Sequence, residues 1–229
     1  MIDKKSNDSE LQKVPKKLGL DGRYTIVKHL GSGGMGDVFL ARDGLLNRQV
    51  ALKVLVQSKI KKGEERDRFF SEARVLANLR HENLVPVYEL DFDNEPIFIA
   101  QRFLPGGDLD TVIEDGKLLK KRQAWQLIYD LANALAYLHE NRIVHRDIKP
   151  ANILFDENGR AFLSDFGLVR ELDVTRFTET KALVGTPLFV VPEVIHGANH
   201  EMSGDIFQFG LVLHYALTGN HRFCKADTF

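Results

Sequence analysis

The amino-acid sequence predicts an α+β fold in two lobes, in which a small antiparallel β-rich lobe precedes a mainly helical one. The apolar residues alternate over most of residues 22–101 and follow a helical period after Pro105-Gly106-Gly107. Residues 205–217 are apolar nearly all round, which is typical of a helix at the centre of a lobe. With 229 residues, 44% of them hydrophobic, the chain is long enough to bury a core.

The elements are predicted in chain order. Residues 1–21 form a flexible polar leader without periodicity. The first lobe, 22–101, contains strands at 24–30, 38–41, 50–55, 85–90 and 97–103 and one amphipathic helix at 64–80. A hinge at 102–107 joins it to a second lobe, 108–229, with helices at 123–140 and 205–217.

Composition excludes several classes of protein. The net charge of −1, from 31 basic and 32 acidic residues, gives no electrostatic reason to expect nucleic acid as a partner. The lone cysteine, Cys224, cannot form an internal disulfide and fits a reducing compartment. The sequence contains neither a signal-peptide core nor an apolar run that could span a bilayer. We therefore expect a cytoplasmic chain, with a membrane tether only in a longer protein.

A glycine-rich stretch separates the first two predicted strands, and it fits the pattern G-x-G-x-x-G-x-V. Glycines let a backbone approach phosphates closely and direct its N–H groups at them. A dinucleotide-binding loop has the same glycines, but its last glycine opens a helix, whereas this one opens a strand. The stretch therefore predicts a hairpin over a nucleotide, although alone it is no more than a flexible hairpin. Its expected phosphate-binding residues are Gly31, Ser32, Gly33, Gly34 and Gly36.

Lys53 lies among the apolar residues of the predicted strand 50–55. Alternation places Ala51 and Lys53 on one face and the larger apolar residues on the other. One interpretation is a solvated lysine on an outer face. The other is a lysine that points into a cleft, holds the α- and β-phosphates as a point charge, and needs an anion to position it. Glu72, on the helix that follows, is the expected anion.

The most informative segment is 145–152, His-Arg-Asp-Ile-Lys-Pro-Ala-Asn, which lies between two apolar pairs. So many polar residues of these types within eight positions are very unlikely to occur by chance. Downstream, Asp165-Phe166-Gly167 follows a short apolar strand. An acidic residue at a strand end, beside a glycine, is well placed to hold a cation.

These motifs, together with Pro192-Glu193, resemble in their order the motif set of eukaryotic-type (Hanks-type) protein kinases. Their details are most similar to the bacterial Ser/Thr kinases, and the resemblance extends from about Tyr24 to Gly219. It implies the bilobal protein-kinase fold and transfer of the γ-phosphoryl group of ATP to Ser or Thr hydroxyls of proteins, with Mg²⁺ or Mn²⁺. Lys149 and Gly185-Thr186-Pro187 resemble the Ser/Thr class rather than the tyrosine class.

The resemblance also implies a role for each motif residue. Asp147 would orient the substrate hydroxyl and accept its proton, and Lys149 would steady the γ-phosphate. Asn152 and Asp165 would hold magnesium, since a hard cation prefers oxygen ligands. The remaining implied ATP contacts are Lys53 fixed by Glu72 at the phosphates, Val38 and Ala51 above the adenine, Gln101, Arg102 and Leu104 beside it, and Asp108 at the ribose.

Regulation is implied by Arg146, which in this family pairs with a phosphorylated residue of the activation loop. Thr178 and Thr180 are similar to a paired-threonine autophosphorylation site of bacterial homologues, and Thr186 is a third regulatory candidate. The alternative is that they are ordinary loop threonines. The resemblance further assigns Asp205 to anchoring the base of an apolar column that includes His145.

Only ten residues follow Gly219, whereas the second lobe of the family continues with more helices. We therefore expect a fragment of a longer kinase or a curtailed gene product of marginal stability. Its uncovered second lobe, or its first lobe, could self-associate. The alternatives to an active kinase are an impaired ATP-binding fragment or pseudokinase-like scaffold and a small-molecule kinase. Lys53, Asp147 and Asp165 argue against the scaffold, because pseudokinases typically lose them.

Overall fold

A computed structural model describes residues 16–33, 36–56, 63, 70–71, 73–75, 77–114, 118–165, 189–195 and 199–220. The chain divides into two compact units. The first unit comprises Met1–Lys62 and Val87–Phe103, and the second comprises Gly63–Pro86 and Leu104–Phe229. A sheet dominates the first unit and helices dominate the second, so the predicted α+β class is confirmed.

The first unit is built on an antiparallel sheet of six strands in the order β1-β2-β3-β4-β6-β5. The long hairpin β2–β3 and the strand β4 follow one another in both sequence and space. Strand β6 then lies between β4 and β5. The bounds are β1 Lys17–Leu18, β2 Tyr24–Gly33, β3 Gly36–Asp43, β4 Arg48–Leu55, β5 Val87–Asp91 and β6 Phe98–Arg102.

Alternate residues of β3, β4 and β6 share one face of this sheet and form the core of the first unit. The predicted split of β4 is confirmed, because its larger apolar residues lie in the core whereas Ala51 and Lys53 do not. Fully burying side chains of this size stabilises a fold by about 1.5–3 kcal/mol each. The core residues of this face are Leu18, Tyr24, Phe39, Ala41, Val50, Leu52, Val54, Phe98 and Ala100.

The second unit packs two long helices around a common core with a short hairpin of strands. Leu131, Ala134 and Leu138 of the first long helix and Val212 of the second are fully or almost fully buried in this core. Gly219 ends the second long helix with φ 68°, a left-handed conformation that favours glycine. The bounds are α1 Leu109–Glu114, α2 Lys121–Glu140, β7 Ile153–Phe155, β8 Ala161–Leu163, α3 Pro192–Ile195 and α4 Met202–Thr218.

Several observed elements extend beyond those expected from sequence, whereas β5 and β6 are shorter than the strands expected at 85–90 and 97–103. Helices α2 and α4 begin two to three residues earlier than predicted, and β2 runs through the first glycines of the glycine-rich stretch. Strands β1 and β7 and the short helix α1 carry no clear periodic signal. The helix predicted at 64–80 lies partly outside the described residues, and residues 70–71, 73–75 and 77 within it are helical. Among the helices that the structure describes, none is long and apolar enough to cross a membrane.

Candidate active site

In the first unit, strand register gathers the residues predicted to contact a nucleotide on one face of the sheet. Val38 is the register partner of Lys53 across β3 and β4, and Gln101 is the partner of Ala51 across β4 and β6. Directly opposed residues of antiparallel strands share a face. This face is opposite the apolar core, and Lys53 is only 8% exposed on it. The sheet thus presents one buried cation beside small and apolar side chains.

The glycine-rich hairpin approaches its neighbouring strand very closely. A Cβ atom at Gly36 would collide with the carbonyl oxygen of Val54, so only glycine fits there. Ser32 faces Asp37 across the hairpin and donates a 2.6 Å hydrogen bond from Oγ to Oδ1 of that residue. The first glycines, Gly31 and Gly33, are strand residues. Gly34, also predicted at the phosphates, lies outside the described residues.

In the second unit, the buried carboxylate of Asp205 holds the loop between α2 and β7. Its Oδ2 accepts the backbone N–H of His145 at 2.8 Å and Nε2 of His139 at 2.9 Å. Its Oδ1 accepts the backbone N–H of Arg146 at 2.8 Å and Nε2 of His200 at 3.0 Å. Four donors therefore converge on one side chain with no solvent exposure. The loop is fixed by its backbone immediately before Asp147.

The electrostatics of this anchor favour an ionised Asp205 and a neutral His145. Burial raises the pKa of Asp205, but the hydrogen bonds from His200, His139 and the two backbone amides outweigh it and lower the pKa to about 2. His145 is fully buried, and this burial lowers its pKa despite the nearby carboxylates. Its Nε2 lies 3.1 Å from the carbonyl oxygen of Ser164, to which the neutral ring donates.

The structure brings together three of the predicted site residues, Asp147, Lys149 and Asn152. Lys149 Nζ lies 2.8 Å from Asp147 Oδ2, and Asn152 Nδ2 donates to the same oxygen at 2.9 Å. The amide of Asn152 also donates to the backbone oxygen of Asp147 at 2.8 Å. The Asp147 side chain is 27% exposed, so it is oriented by neighbours yet open to a reactant. This is the arrangement that a proton-accepting carboxylate needs.

Ser164 ties Asn152 to the chain that leads into Asp165. Its backbone N–H and its Oγ both donate to the carbonyl oxygen of Asn152, at 2.9 and 3.0 Å. Asp165 follows directly, with φ 58°, an uncommon conformation for a residue other than glycine. Because Nδ2 of Asn152 is committed to Asp147, its Oδ1 is the amide atom suited to a cation. One amide and one carboxylate oxygen fit Mg²⁺, which keeps several waters.

The remaining predicted site residues lie in several different elements or outside the described residues. Asp108 accepts the N–H of Thr111 at 2.7 Å and so caps the start of α1. Leu104 is buried in a small apolar cluster with Val85 and Phe162. Arg146 adopts φ 72° in the anchored loop, and Arg102 is half-buried at the end of β6. The predicted residues that lie outside the described part of the chain are Glu72, Thr178, Thr180 and Thr186, along with Phe166 and Gly167.

Sequence reasoning missed His139, His200, Gln208 and Ser164. Gln208 is buried, accepts the N–H of Ile148 at 3.0 Å and donates to the carbonyl oxygen of Phe189 at 2.9 Å. One signal was available, because Asp205 and Gln208 stand three positions apart within the largely apolar run 205–217. Polar residues at such spacing within a buried helix indicate partners elsewhere in the core.

Comparison with known proteins agrees with this geometry. The family model of the protein kinase domain matches residues 24–228. Serine/threonine-protein kinase PrkC of Bacillus subtilis is 36% identical over 200 residues, which cover 87% of this chain and 31% of that protein. PknJ of Mycobacterium tuberculosis is 37% identical over 204 residues, covering 87% and 34%. PknB of Mycobacterium leprae is 35% identical over 209 residues, covering 89% and 34%. The chain spans about a third of the length of these relatives.

Proposed function

Because this chain belongs to the protein kinase domain family, we propose that it transfers the γ-phosphoryl group of ATP to Ser or Thr hydroxyls of proteins. The observation that carries this proposal is the partly exposed carboxylate of Asp147, which is oriented by Lys149 and Asn152 on a loop anchored to a buried carboxylate. The bacterial relatives named as serine/threonine-protein kinases support the same acceptor class.

The proposed reaction places the substrate hydroxyl beside Asp147. The hydroxyl oxygen forms a bond to the γ-phosphorus as the bond to the bridging oxygen of ADP breaks, and Asp147 accepts the hydroxyl proton. Lys149, whose Nζ lies 2.8 Å from Asp147, offers a positive charge next to the oxygens on which charge accumulates. Positioning and electrostatics therefore account for the catalysis, and no covalent intermediate with the protein is required.

Magnesium supplies charge neutralisation at the phosphates when it is bound. Asn152 and Asp165 are the residues that we propose would hold it, through one amide and one carboxylate oxygen. Asn152 is 5% exposed, and its Nδ2 donates to the backbone oxygen and to Oδ2 of Asp147, so its side chain is pre-oriented. Manganese has the same preference for oxygen ligands and would serve as a substitute.

For ATP we propose contacts with the face of the first unit that carries Val38, Ala51 and Lys53. Lys53 would hold the α- and β-phosphates, and the glycine-rich hairpin would direct backbone N–H groups at them. The other residues proposed to contact ATP are Ser32, Gln101, Arg102, Leu104 and Asp108. The proposed roles of Gly34 and Glu72 rest on the sequence motif alone.

We further propose activation by autophosphorylation at Thr178 and Thr180. Arg146 supports this, since it lies one residue before Asp147 in the anchored loop and would pair with the phosphate.

Self-association is a second proposal, supported by exposed apolar residues of the first unit, Val27, Leu45 and Leu46. A cytoplasmic location is a further proposal, and the lone cysteine, which cannot form an internal disulfide, supports it.

The experiment is transfer of label from [γ-³²P]ATP with Mg²⁺ to a Ser/Thr substrate protein, followed by phosphoamino-acid analysis. We expect phosphoserine and phosphothreonine without phosphotyrosine, and loss of about 10²–10⁴-fold of the rate in Asp147→Asn. Thr178→Ala combined with Thr180→Ala tests activation separately, because it should remove self-labelling but not ATP binding. ATP binding without transfer by the folded chain would instead support the nucleotide-binding scaffold.

A further inference from the structure

His200 is a buried histidine that no motif explains. It lies two residues before the first residue of α4 and is 5% exposed. Its Nε2 lies 3.0 Å from Oδ1 of Asp205. Since that carboxylate is ionised and also accepts two backbone N–H groups, Nε2 of His200 carries the hydrogen and donates it. The contact is therefore a charge-assisted hydrogen bond in a water-excluded place.

Gly204 is the residue that gives this imidazole its space. A Cβ atom at Gly204 would lie 2.7 Å from Nε2, 2.8 Å from Cδ2 and 3.1 Å from Cε1 of His200. Any side chain at this position would push the ring away from Asp205. Glycine inside a helix is less favourable than alanine, and Gly204 lies in the first turn of α4. The observed position of the His200 ring therefore depends on the absence of a side chain at Gly204.

His200 is connected to the loop between α2 and β7, which carries Asp147, through a single oxygen of Asp205. Among the described residues, Oδ1 of Asp205 accepts two hydrogen bonds, one from Nε2 of His200 and one from the backbone N–H of Arg146. Arg146 has φ 72°, which is unfavourable for a residue with a Cβ atom and must be maintained by its surroundings. Arg146 directly precedes Asp147. The orientation of the Asp205 carboxylate, which accepts the Arg146 N–H, therefore fixes the position of the backbone that leads into Asp147.

We propose that His200 is a positioning residue for phosphoryl transfer, which fixes Oδ1 of Asp205 and thereby the backbone of Arg146 and Asp147, and that Gly204 is required to admit it. This inference rests on the proposed function for its catalytic consequence. Its structural consequence, the coupling of His200 to the Arg146 amide, can be measured without any activity.

The test is a double-mutant cycle of His200→Ala and Gly204→Ala. Each single variant should lower kcat by about tenfold to 100-fold with the KM for ATP changed less than about twofold, because the loop moves but the nucleotide contacts remain. In the His200→Ala background, Gly204→Ala should cause no further loss and should raise the melting temperature. His200→Gln, which keeps a donor, should recover part of kcat. His214→Ala on the same helix is the matched control and should leave kcat unchanged.

Amide hydrogen exchange supplies the readout that is independent of activity. In His200→Ala, the amides of His145 and Arg146 should lose about tenfold in protection, as expected for a lost hydrogen bond to a charged group. The amides of Leu131–Leu138 in α2 should keep their protection. If His200→Ala does not fold, His200→Gln and Gly204→Ala allow the same comparison.

Additive losses in the cycle, or unchanged protection at Arg146, would overturn the proposal. A uniform loss of protection across α2 would likewise assign His200 to general stability rather than positioning. Absence of phosphoryl transfer by the unaltered chain would count against the proposed function alone, because the exchange measurement still decides the role of His200.

Discussion

Asp43 in the first unit and Asp205 in the second are both fully buried aspartates that accept several hydrogen bonds, and they hold different parts of the chain. Asp43, at the end of β3, accepts the guanidinium of Arg23 at 2.9 and 2.8 Å and the N–H groups of Leu45 and Leu46 in its own turn. Asp205 accepts N–H groups from a loop about sixty residues away in sequence. The bonds from Leu45 and Leu46 hold the turn that follows Asp43, whereas the bonds to Asp205 hold a remote loop of the candidate active site.

The partners differ in chemistry as well as in distance. Arg23 also donates to Glu89 at 2.7 Å, and Tyr24 Oη donates to the same carboxylate. The first unit therefore has a hydrogen-bonded network of two carboxylates around one guanidinium. The guanidinium lowers the pKa of Asp43 well below its usual range, although burial opposes it. Asp205 has imidazoles in place of a guanidinium. Either set of partners can keep a buried carboxylate ionised, and the set at Asp205 includes the backbone of the loop that carries Asp147.

Replacing Asp205 should have the largest effect. In Asp205→Asn, an amide NH₂ replaces one of the two accepting oxygens, so buried donors lose their acceptor. We expect a loss of about 3–5 kcal/mol in the free energy of unfolding and a fall of at least about 100-fold in kcat. Urea denaturation measures the free energy of unfolding, and peptide phosphorylation at low temperature measures kcat. A stable variant with unchanged kcat would show that Asp205 does not position the loop.

Asp43→Asn should destabilise the protein without impairing catalysis. We expect a smaller loss, about 2–3 kcal/mol, since the Arg23 side chain is 23% exposed and can be hydrated when its partner is removed. At a temperature where the variant is folded, kcat should stay within about twofold of the unaltered chain. A kcat that falls as far as in Asp205→Asn would remove the distinction between the two aspartates.

Acid should affect the second unit first. Burial lowers the pKa of His145 in the folded state, so its contribution to stability is complete above the ordinary value of 6.5 and is lost as the pH falls. Asp43 and Asp205 contribute above 3.8 and lose their contributions only below it. Between pH 6.5 and 4 the free energy of unfolding should fall by up to about 1.4 kcal/mol per pH unit.

The matched variant for this pH dependence is His145→Gln, which cannot titrate. It should show a flatter stability profile between pH 6.5 and 4 while keeping the drop below pH 3.8 that the aspartates cause. An equal slope in the variant and the unaltered chain would assign the acid sensitivity to another group.

Much of the fold could be predicted, because strand alternation and helical periods are local properties of the sequence. The faces of β4 follow from counting by two from Val50, and α2 and α4 follow from their apolar spacing. Strand β7 is only three residues long, too short to show a period, and was therefore missed. The start of β5 at Val87 rather than at Val85 reflects the bond from the Val85 N–H to Leu163, a contact remote in sequence.

The candidate site likewise contains residues that the local sequence predicts and residues whose role depends on contacts remote in sequence. The string His145–Asn152 is recognisable because its residue types are dense and ordered, and the structure gathers Asp147, Lys149 and Asn152. His139 and His200 are not recognisable, since each is a lone histidine whose meaning depends on a carboxylate elsewhere. Gly204 is likewise an ordinary helix glycine until the imidazole beside it is seen.

The most direct test of the account is single-turnover transfer from [γ-³²P]ATP to a serine peptide by the unaltered chain and by Asp147→Asn. Asp93→Asn, at an exposed turn, is the matched control. We predict that Asp147→Asn slows transfer by about 10²–10⁴-fold with ATP affinity unchanged, and that Asp93→Asn transfers normally. Equal transfer by Asp147→Asn and the unaltered chain would contradict the assignment of Asp147 as the proton acceptor.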